Sequence, residues 1–482
     1  MLFNSFVFIF AFLPLTFFVY FYLNKKRLTE LAKAFLVFAS LFFYSWWNVN
    51  YLPLILVSML VNFTLGKQLN LPGKKATKKA LFIFGLCFNV GFLGYFKYSD
   101  FFIENLNFLG ADISPLNLAL PLAISFFTFQ QIAYLADSYK NLTKEYDFLT
   151  YALFVCFFPQ LIAGPIVHHA EMMPQFSKAK NKFINYSNIL LGLFIFSIGL
   201  FKKVVIADTF AIFVNNGFNA SASLDVLSAW ATSFSYTFQL YFDFSGYCDM
   251  AIGAALLFNI RLPINFNSPY KSLDIQDFWR RWHITLGRFL RDYVYIPLGG
   301  SRSGASKKEQ VFRTCTNLFI TFLIGGIWHG AGWTFVIWGA MHGIALVIHR
   351  IWTEFFKIKL PKVLAWFITF NFINIAWVYF RATSVAQAND VLKAMFGANG
   401  IDYEKFKELR NLFRQTALHD GIHVFLYFLL AAFIIVLALK NSQTIVQNKN
   451  NLFWTISFYI LFMLALYFML FSRYSEFIYF NF

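Results

Sequence analysis

The sequence predicts an all-α integral membrane protein, and three observations predict it. Of 482 residues, 59% are hydrophobic and only 13% charged, roughly half the charged fraction of a soluble protein. Apolar runs follow one another along most of the chain, each near the ~20 residues that carry a helix across a hydrocarbon core about 30 Å thick. Between the runs, Lys and Arg fall in short clusters rather than in one basic patch.

Taken in order, the runs lie near 3–22, 30–48, 51–66, 79–97, 117–136, 150–166, 186–206, 227–258, 312–327, 332–352, 363–381, 422–439 and 453–472. The first is longer than the apolar stretch of a signal peptide and has no basic residue before it, so it reads as a retained span. Lys25-Lys26-Arg27 and Lys74-Lys75 follow the first and third runs, whereas Asp100, Glu104 and Asp112 make the next loop acidic. Cytoplasmic loops carry the excess of Lys and Arg, so the N-terminus is expected outside. By the same rule the loop holding Lys440 and Lys449 is cytoplasmic, and a short aromatic tail at 473–482 is external. Residues 382–421 set Tyr403, Phe406, Leu409, Leu412 and Phe413 among charges, as either an amphipathic surface helix or a solvated loop would. With no internal repeat, 1–482 reads as one polytopic membrane domain.

A net charge of +17 would point to nucleic acid in a soluble protein. Spread between membrane spans it reads as topology, and no nucleic-acid partner is expected. The cysteines Cys87, Cys156, Cys248 and Cys315 are widely spaced, with no C-x-x-C pair, so neither a disulfide nor a metal site is expected.

Chemistry concentrates in three places. The apolar region 312–352 is too long for one span, and inside it Gly325-Gly326-Ile327-Trp328-His329-Gly330-Ala331-Gly332-Trp333 sets four glycines around one histidine. That pattern predicts a broken helix. Irregular backbone at membrane depth is tolerated only where it is buried in protein or lines a cavity, and an ionisable side chain there is functional by default. Desolvation favours the neutral imidazole, so His329 is expected to accept a proton as a general base. The plain alternative is a histidine that ties two helices together.

The second place is Asp277–Gly300. At helical spacing Trp279, His283 and Leu286 share one face, while Arg281, Arg288 and Arg291 make a cationic rim. Such a rim suits the phosphates of a nucleotide-bearing donor; the alternative is an interfacial helix snorkelling its arginines to headgroups. The third is the pair Asp243 and Asp249 within a span. Carboxylates are costly there, and they would orient a histidine, pair with arginines or, the preferred reading, fix helix packing. Ser245 is not in a G-x-S-x-G elbow and is no nucleophile. His168 and His169 follow Gly164-Pro165 and read as loop residues.

At these residues the chain resembles the membrane-bound O-acyltransferase (MBOAT) family, in particular its bacterial branch of peptidoglycan O-acetyltransferases, alginate O-acetylation protein I and the teichoic-acid D-alanyl transfer protein. The resemblance rests on Phe43-Tyr44-Ser45-Trp46-Trp47, on 120–130, on Pro159–Ile166, on Asp243–Asp249, on Trp279–Gly300 and on Trp328-His329-Gly330. It implies a ring of roughly eleven to thirteen transmembrane and re-entrant helices around a central funnel, His329 as the catalytic residue and His283 as a second active-site histidine. It also implies a donor, acetyl-CoA in the acetylating members, entering from the cytoplasm, and an acceptor arriving from outside.

The resulting expectation is transfer of acetyl from cytoplasmic acetyl-CoA across the bacterial inner membrane, for O-acetylation of a cell-envelope polysaccharide. Peptidoglycan comes first, alginate or another exopolysaccharide second, and D-alanyl transfer to teichoic acid third. A lipid-linked glycosyltransferase using Asp100 and Glu104 would leave His329 unexplained, and a broken-helix transporter is the non-enzymatic rival. The tail Glu476–Phe482 resembles the aromatic terminus of bacterial envelope-acylation proteins, which makes Tyr479 an acyl carrier that hands acetyl to a periplasmic SGNH-type O-acetyltransferase or an equivalent acceptor protein. The alternative for the tail is an interfacial aromatic anchor.

Overall fold

The computed structural model describes residues 1–143, 147–301, 306–404, 406, 422–447, 452–471 and 478, and every regular element among them is helical. Among the described residues seven helices are long and apolar enough to cross a membrane: Phe8–Lys25, Val49–Asn70, Lys75–Phe108, Tyr186–Asn219, Lys307–His329, Trp333–Phe356 and Lys362–Arg381. Phe425–Leu437 and Thr455–Phe471 are apolar but shorter. The run near 150–166 does not form one span. Its helix Phe148–Cys156 ends at Phe157, whose ψ of 113° leaves helical geometry, and Pro159 then opens a new turn, Phe158–Leu161, where its missing N–H costs nothing. Of the expected surface segment 382–421, Val385–Met395 is helical with Ala388, Val391, Ala394 and Met395 buried, while Leu409, Leu412 and Phe413 lie outside the described residues.

The chain divides into two compact units, Met1–Phe196 with Cys248–Ile264, and Ser197–Tyr247 with Asn265–Phe482. In the first, phenylalanines supply the core: Phe12 meets Phe158 edge-on at 5.2 Å, and Phe158 meets Phe258 at 5.8 Å, geometries that the aromatic quadrupole favours. Asn62 and Asn89 exchange amide hydrogen bonds of 3.1 and 2.7 Å, which satisfies two polar groups inside apolar helices. His169 corrects the loop reading. It is buried at the start of the helix His169–Ser177, with Nδ1 3.4 Å from a carboxylate oxygen of Asp137.

In the second unit the two helices around the glycine-rich segment determine the site. Lys307–His329 stops at His329, three residues bend the chain, and Trp333–Ile351 returns. The backbones touch at Gly326 and Gly339: a Cβ on Gly326 would stand 2.5 Å from the Phe335 carbonyl oxygen and 2.8 Å from the Gly339 Cα. Gly330 and Gly332 have φ of −160° and −174°, so neither needs a left-handed conformation. Gly330 is needed for room, because a Cβ there would fall 2.1 Å from a ring carbon of Phe335. The glycines thus break the helix and let its halves approach more closely than any side chain would allow.

Candidate active site

His329 ends the first of these helices with 5% of its surface exposed. Trp328, Trp338 and Phe380 surround its ring edge-on at 4.8, 5.1 and 5.0 Å. Trp338 also meets a second buried histidine, His342, at 4.8 Å. The Trp279 Nε1–H donates to His342 Nδ1 at 3.3 Å. An indole N–H can only donate, so Nδ1 of His342 must accept and the neutral ring carries its proton on Nε2.

His329 opens onto a cavity of about 640 Å³, within the range of small-molecule pockets. Thr314, Leu318, Thr321, Gly325 and His329 all line it. They recur every three or four residues, so one helix face forms the wall over about 22 Å at 1.5 Å per residue. The returning helix contributes Trp338 beside His329, then Leu346, His349 and Arg350, with Thr353 beyond. The cavity is therefore elongated, with the histidine at one end and basic side chains at the other.

Its third wall is the segment that the sequence reads as one helix. The structure corrects this: two seven-residue helices, Ile275–Arg281 and Ile284–Leu290, are separated at Trp282 and His283. His283 has φ +42°, a left-handed conformation that non-glycine residues seldom adopt. The break turns the expected single face apart. Trp279 and Leu286 line the cavity, whereas His283 is buried elsewhere, edge-on to Phe244 at 4.8 Å. The arginines divide as well. Arg288 and Arg291 line the wall, but Arg281 does not: its Nε bonds both carboxylate oxygens of Asp277 at 2.9 Å. Arg280 and Arg350 stand in the wall instead.

Asp243 is buried on the helix Val226–Leu257, and its partner is a lysine rather than an arginine. Lys203 Nζ lies 2.6 Å from Asp243 and 2.6 Å from Asp208. Of the aromatic tail only Ile478 is described. It is buried, and its N–H donates to Asp243 at 3.3 Å; Tyr479 lies outside the described residues. Among the described residues no group of three His, Cys, Asp or Glu side chains is placed to hold a metal ion.

A model of the membrane-bound O-acyltransferase family matches residues 1–386, which include the cavity, both histidines of the broken helix pair and the arginine wall. The chain belongs to the membrane-bound O-acyltransferase family. This acyltransferase is a multi-pass membrane protein, and its relatives differ in what they modify. It is 51% identical to a peptidoglycan O-acetyltransferase of Helicobacter pylori, over 100% of this chain and 98% of that one. It is 39% identical to the probable alginate O-acetylase AlgI of Pseudomonas aeruginosa, over 90% of this chain and 81% of that one. A teichoic acid D-alanyltransferase of Streptococcus thermophilus matches at 28% identity, over 54% and 68% respectively.

His342, Arg280, Arg350 and Lys203 are absent from the sequence-based set. A pattern for His342 was present: Trp338, His342 and Leu346 recur every four residues on the helix after the glycines. Lys203 offered less, since a Lys202-Lys203 pair at the end of an apolar run reads first as a topology marker.

Proposed function

We propose that the acyltransferase moves acetyl from cytoplasmic acetyl-CoA across the bacterial inner membrane for O-acetylation of peptidoglycan. The observation that carries this reading is the elongated cavity with a buried histidine at one end, His349 and Arg350 at the other, and Arg280, Arg288 and Arg291 in its wall. An extended donor with phosphates at one end and a thioester at the other matches that polarity. Arg288, Arg291, Arg280 and Arg350 hold the phosphates, and His329 meets the thioester. Lys307 and Lys308 begin one of these helices and Lys357 and Lys359 follow the other at its Arg350 end, which by the positive-inside rule is the cytoplasmic one. The N-terminus is then outside, as the first loops suggest. Full-length similarity to a peptidoglycan O-acetyltransferase supports peptidoglycan over alginate as the final acceptor.

In the chemistry, His329 accepts the proton of the Tyr479 hydroxyl as the phenolic oxygen attacks the thioester carbonyl. The C–S bond breaks, the CoA thiolate leaves and takes the proton back from His329, and an acetyl ester remains on Tyr479. A phenol with a pKa near 10 is easier to deprotonate than an aliphatic alcohol and leaves more readily from its ester. An external transferase, of SGNH type, then takes the acetyl group for the polysaccharide. Burial of Ile478, whose N–H donates to Asp243, supports a carrier role for Tyr479 over a lipid-facing anchor. His283 is the second active-site histidine, and 1–482 works as one domain.

The test is release of free CoA by purified protein in lipid nanodiscs, supplied with acetyl-CoA and an acceptor. Wild type should release CoA in step with acceptor, and His329→Ala should remain inserted and lose about 10²–10⁴-fold of the rate. No acceptor-dependent CoA release from wild type would remove the acetyltransfer reading in favour of a transporter or glycosyltransferase. Activity of His329→Ala within a few-fold of wild type would remove His329 as the base.

A further inference from the structure

The Asn265 side chain sits at the break between the two short helices, where three groups converge on its Oδ1: the Thr285 backbone N–H at 3.1 Å, the Thr285 hydroxyl at 2.9 Å and His283 Nδ1 at 3.1 Å. The backbone N–H can only donate, which identifies the atom it meets as the amide oxygen and not the nitrogen. An amide oxygen can only accept, so His283 Nδ1 must carry a hydrogen. Two backbone bonds hold the arrangement: Ile284 N–H to the Asn265 carbonyl and Asn267 N–H to the Arg281 carbonyl, both 2.9 Å.

His283 is 1% exposed, and among the described residues no carboxylate lies within ion-pair distance of it. A buried imidazolium there would be an uncompensated charge. The neutral ring with its proton on Nδ1 leaves Nε2 as a bare acceptor, and Nε2 has no hydrogen-bond partner among the described residues. The left-handed backbone of His283 costs energy that the surroundings must offset, a pattern concentrated at functional positions.

We infer that Asn265 is a positioning residue that locks His283 in the Nδ1–H tautomer, which leaves its Nε2 as a hydrogen-bond acceptor and not a donor in the active site. The inference rests on the proposed role of His283 as an active-site histidine.

The direct test is magic-angle-spinning NMR of the protein with ¹⁵N-labelled histidine in lipid bilayers, with the His283 signal identified by its loss in His283→Gln. Wild type should show a protonated Nδ1 and a bare Nε2, and Asn265→Ala should mix the two tautomers. A wild-type Nε2–H tautomer overturns the inference, even if Asn265→Ala fails to fold. In the CoA-release assay, Asn265→Ala and His283→Gln should each lower kcat by roughly 10²-fold with the acetyl-CoA KM unchanged. The double variant should be no slower than His283→Gln, since the two act as one unit. Additive losses would reduce Asn265 to a packing residue. If His283→Gln keeps full activity while the tautomer is as stated, the assignment of His283 to the active site fails and the tautomer lock stands by itself.

Discussion

The Lys203 ammonium lies 2.6 Å from a carboxylate oxygen of Asp243, with both side chains almost completely buried. Asp208 shares the same ammonium, also at 2.6 Å, so removing Lys203 strands two buried carboxylates, where an uncompensated buried charge costs about 3–5 kcal/mol, whereas removing the Asp243 charge loses a charge-assisted hydrogen bond of about 1.5–3 kcal/mol. Asp243→Asn and Lys203→Met should therefore reduce folded yield and thermal stability in detergent at least as much as they reduce turnover, measured by size-exclusion yield and CoA release. A stable but inactive Asp243→Asn would move Asp243 into the catalytic set.

The cavity wall separates arginines that the sequence groups together. Arg288→Ala, Arg291→Ala and Arg350→Ala should each raise the KM for acetyl-CoA more than they lower kcat, because they bind ground state and transition state alike. Arg281→Ala, whose side chain is engaged by Asp277 outside the wall, should move that KM least. Steady-state kinetics on the four variants decide this, and an unchanged donor KM throughout would leave the arginines to lipid headgroups.

Tyr479→Phe keeps an apolar ring and removes only the hydroxyl. It should insert normally and abolish acetylation of the wall, scored as ester-linked acetate released from purified peptidoglycan by mild base. Normal acetylation would make Tyr479 an anchor, and the acceptor hydroxyl would then have to reach His329 directly.

Gly326→Ala forces a methyl group to within 2.8 Å of the Gly339 backbone, where no flexible side chain can give way. Overpacking of this kind costs typically 1–3 kcal/mol. The variant should melt at a lower temperature and lose activity through displacement of His329, while Gly91→Ala, which meets nothing within 4 Å, should change neither. Equal melting temperatures for Gly326→Ala and wild type would show that the two helices do not need this approach.

Composition and period sufficed for whatever depends on local chemistry. The apolar runs became helices at Leu52–Asn70, Lys307–His329 and Lys362–Arg381, because a chain in lipid must satisfy its backbone within each segment and a run of that length leaves little choice. Four glycines around His329 marked a break for the same kind of reason, since they lower helix preference and free the backbone to part. What needed the tertiary structure was every relation between segments distant in sequence. Helical spacing placed Trp279, His283 and Leu286 on one face, but the helix breaks at Trp282 and His283, where His283 and Thr285 bond to Oδ1 of Asn265, 18 residues before His283, and the histidine is not among the residues that line the cavity. Arg281 and Arg280 are indistinguishable as neighbours in sequence, and only the packed wall decides which one reaches it. Lys203 likewise meets Asp243 as well as its near neighbour Asp208, each at 2.6 Å, because a buried carboxylate needs a cation, a choice made by the fold and not by either segment.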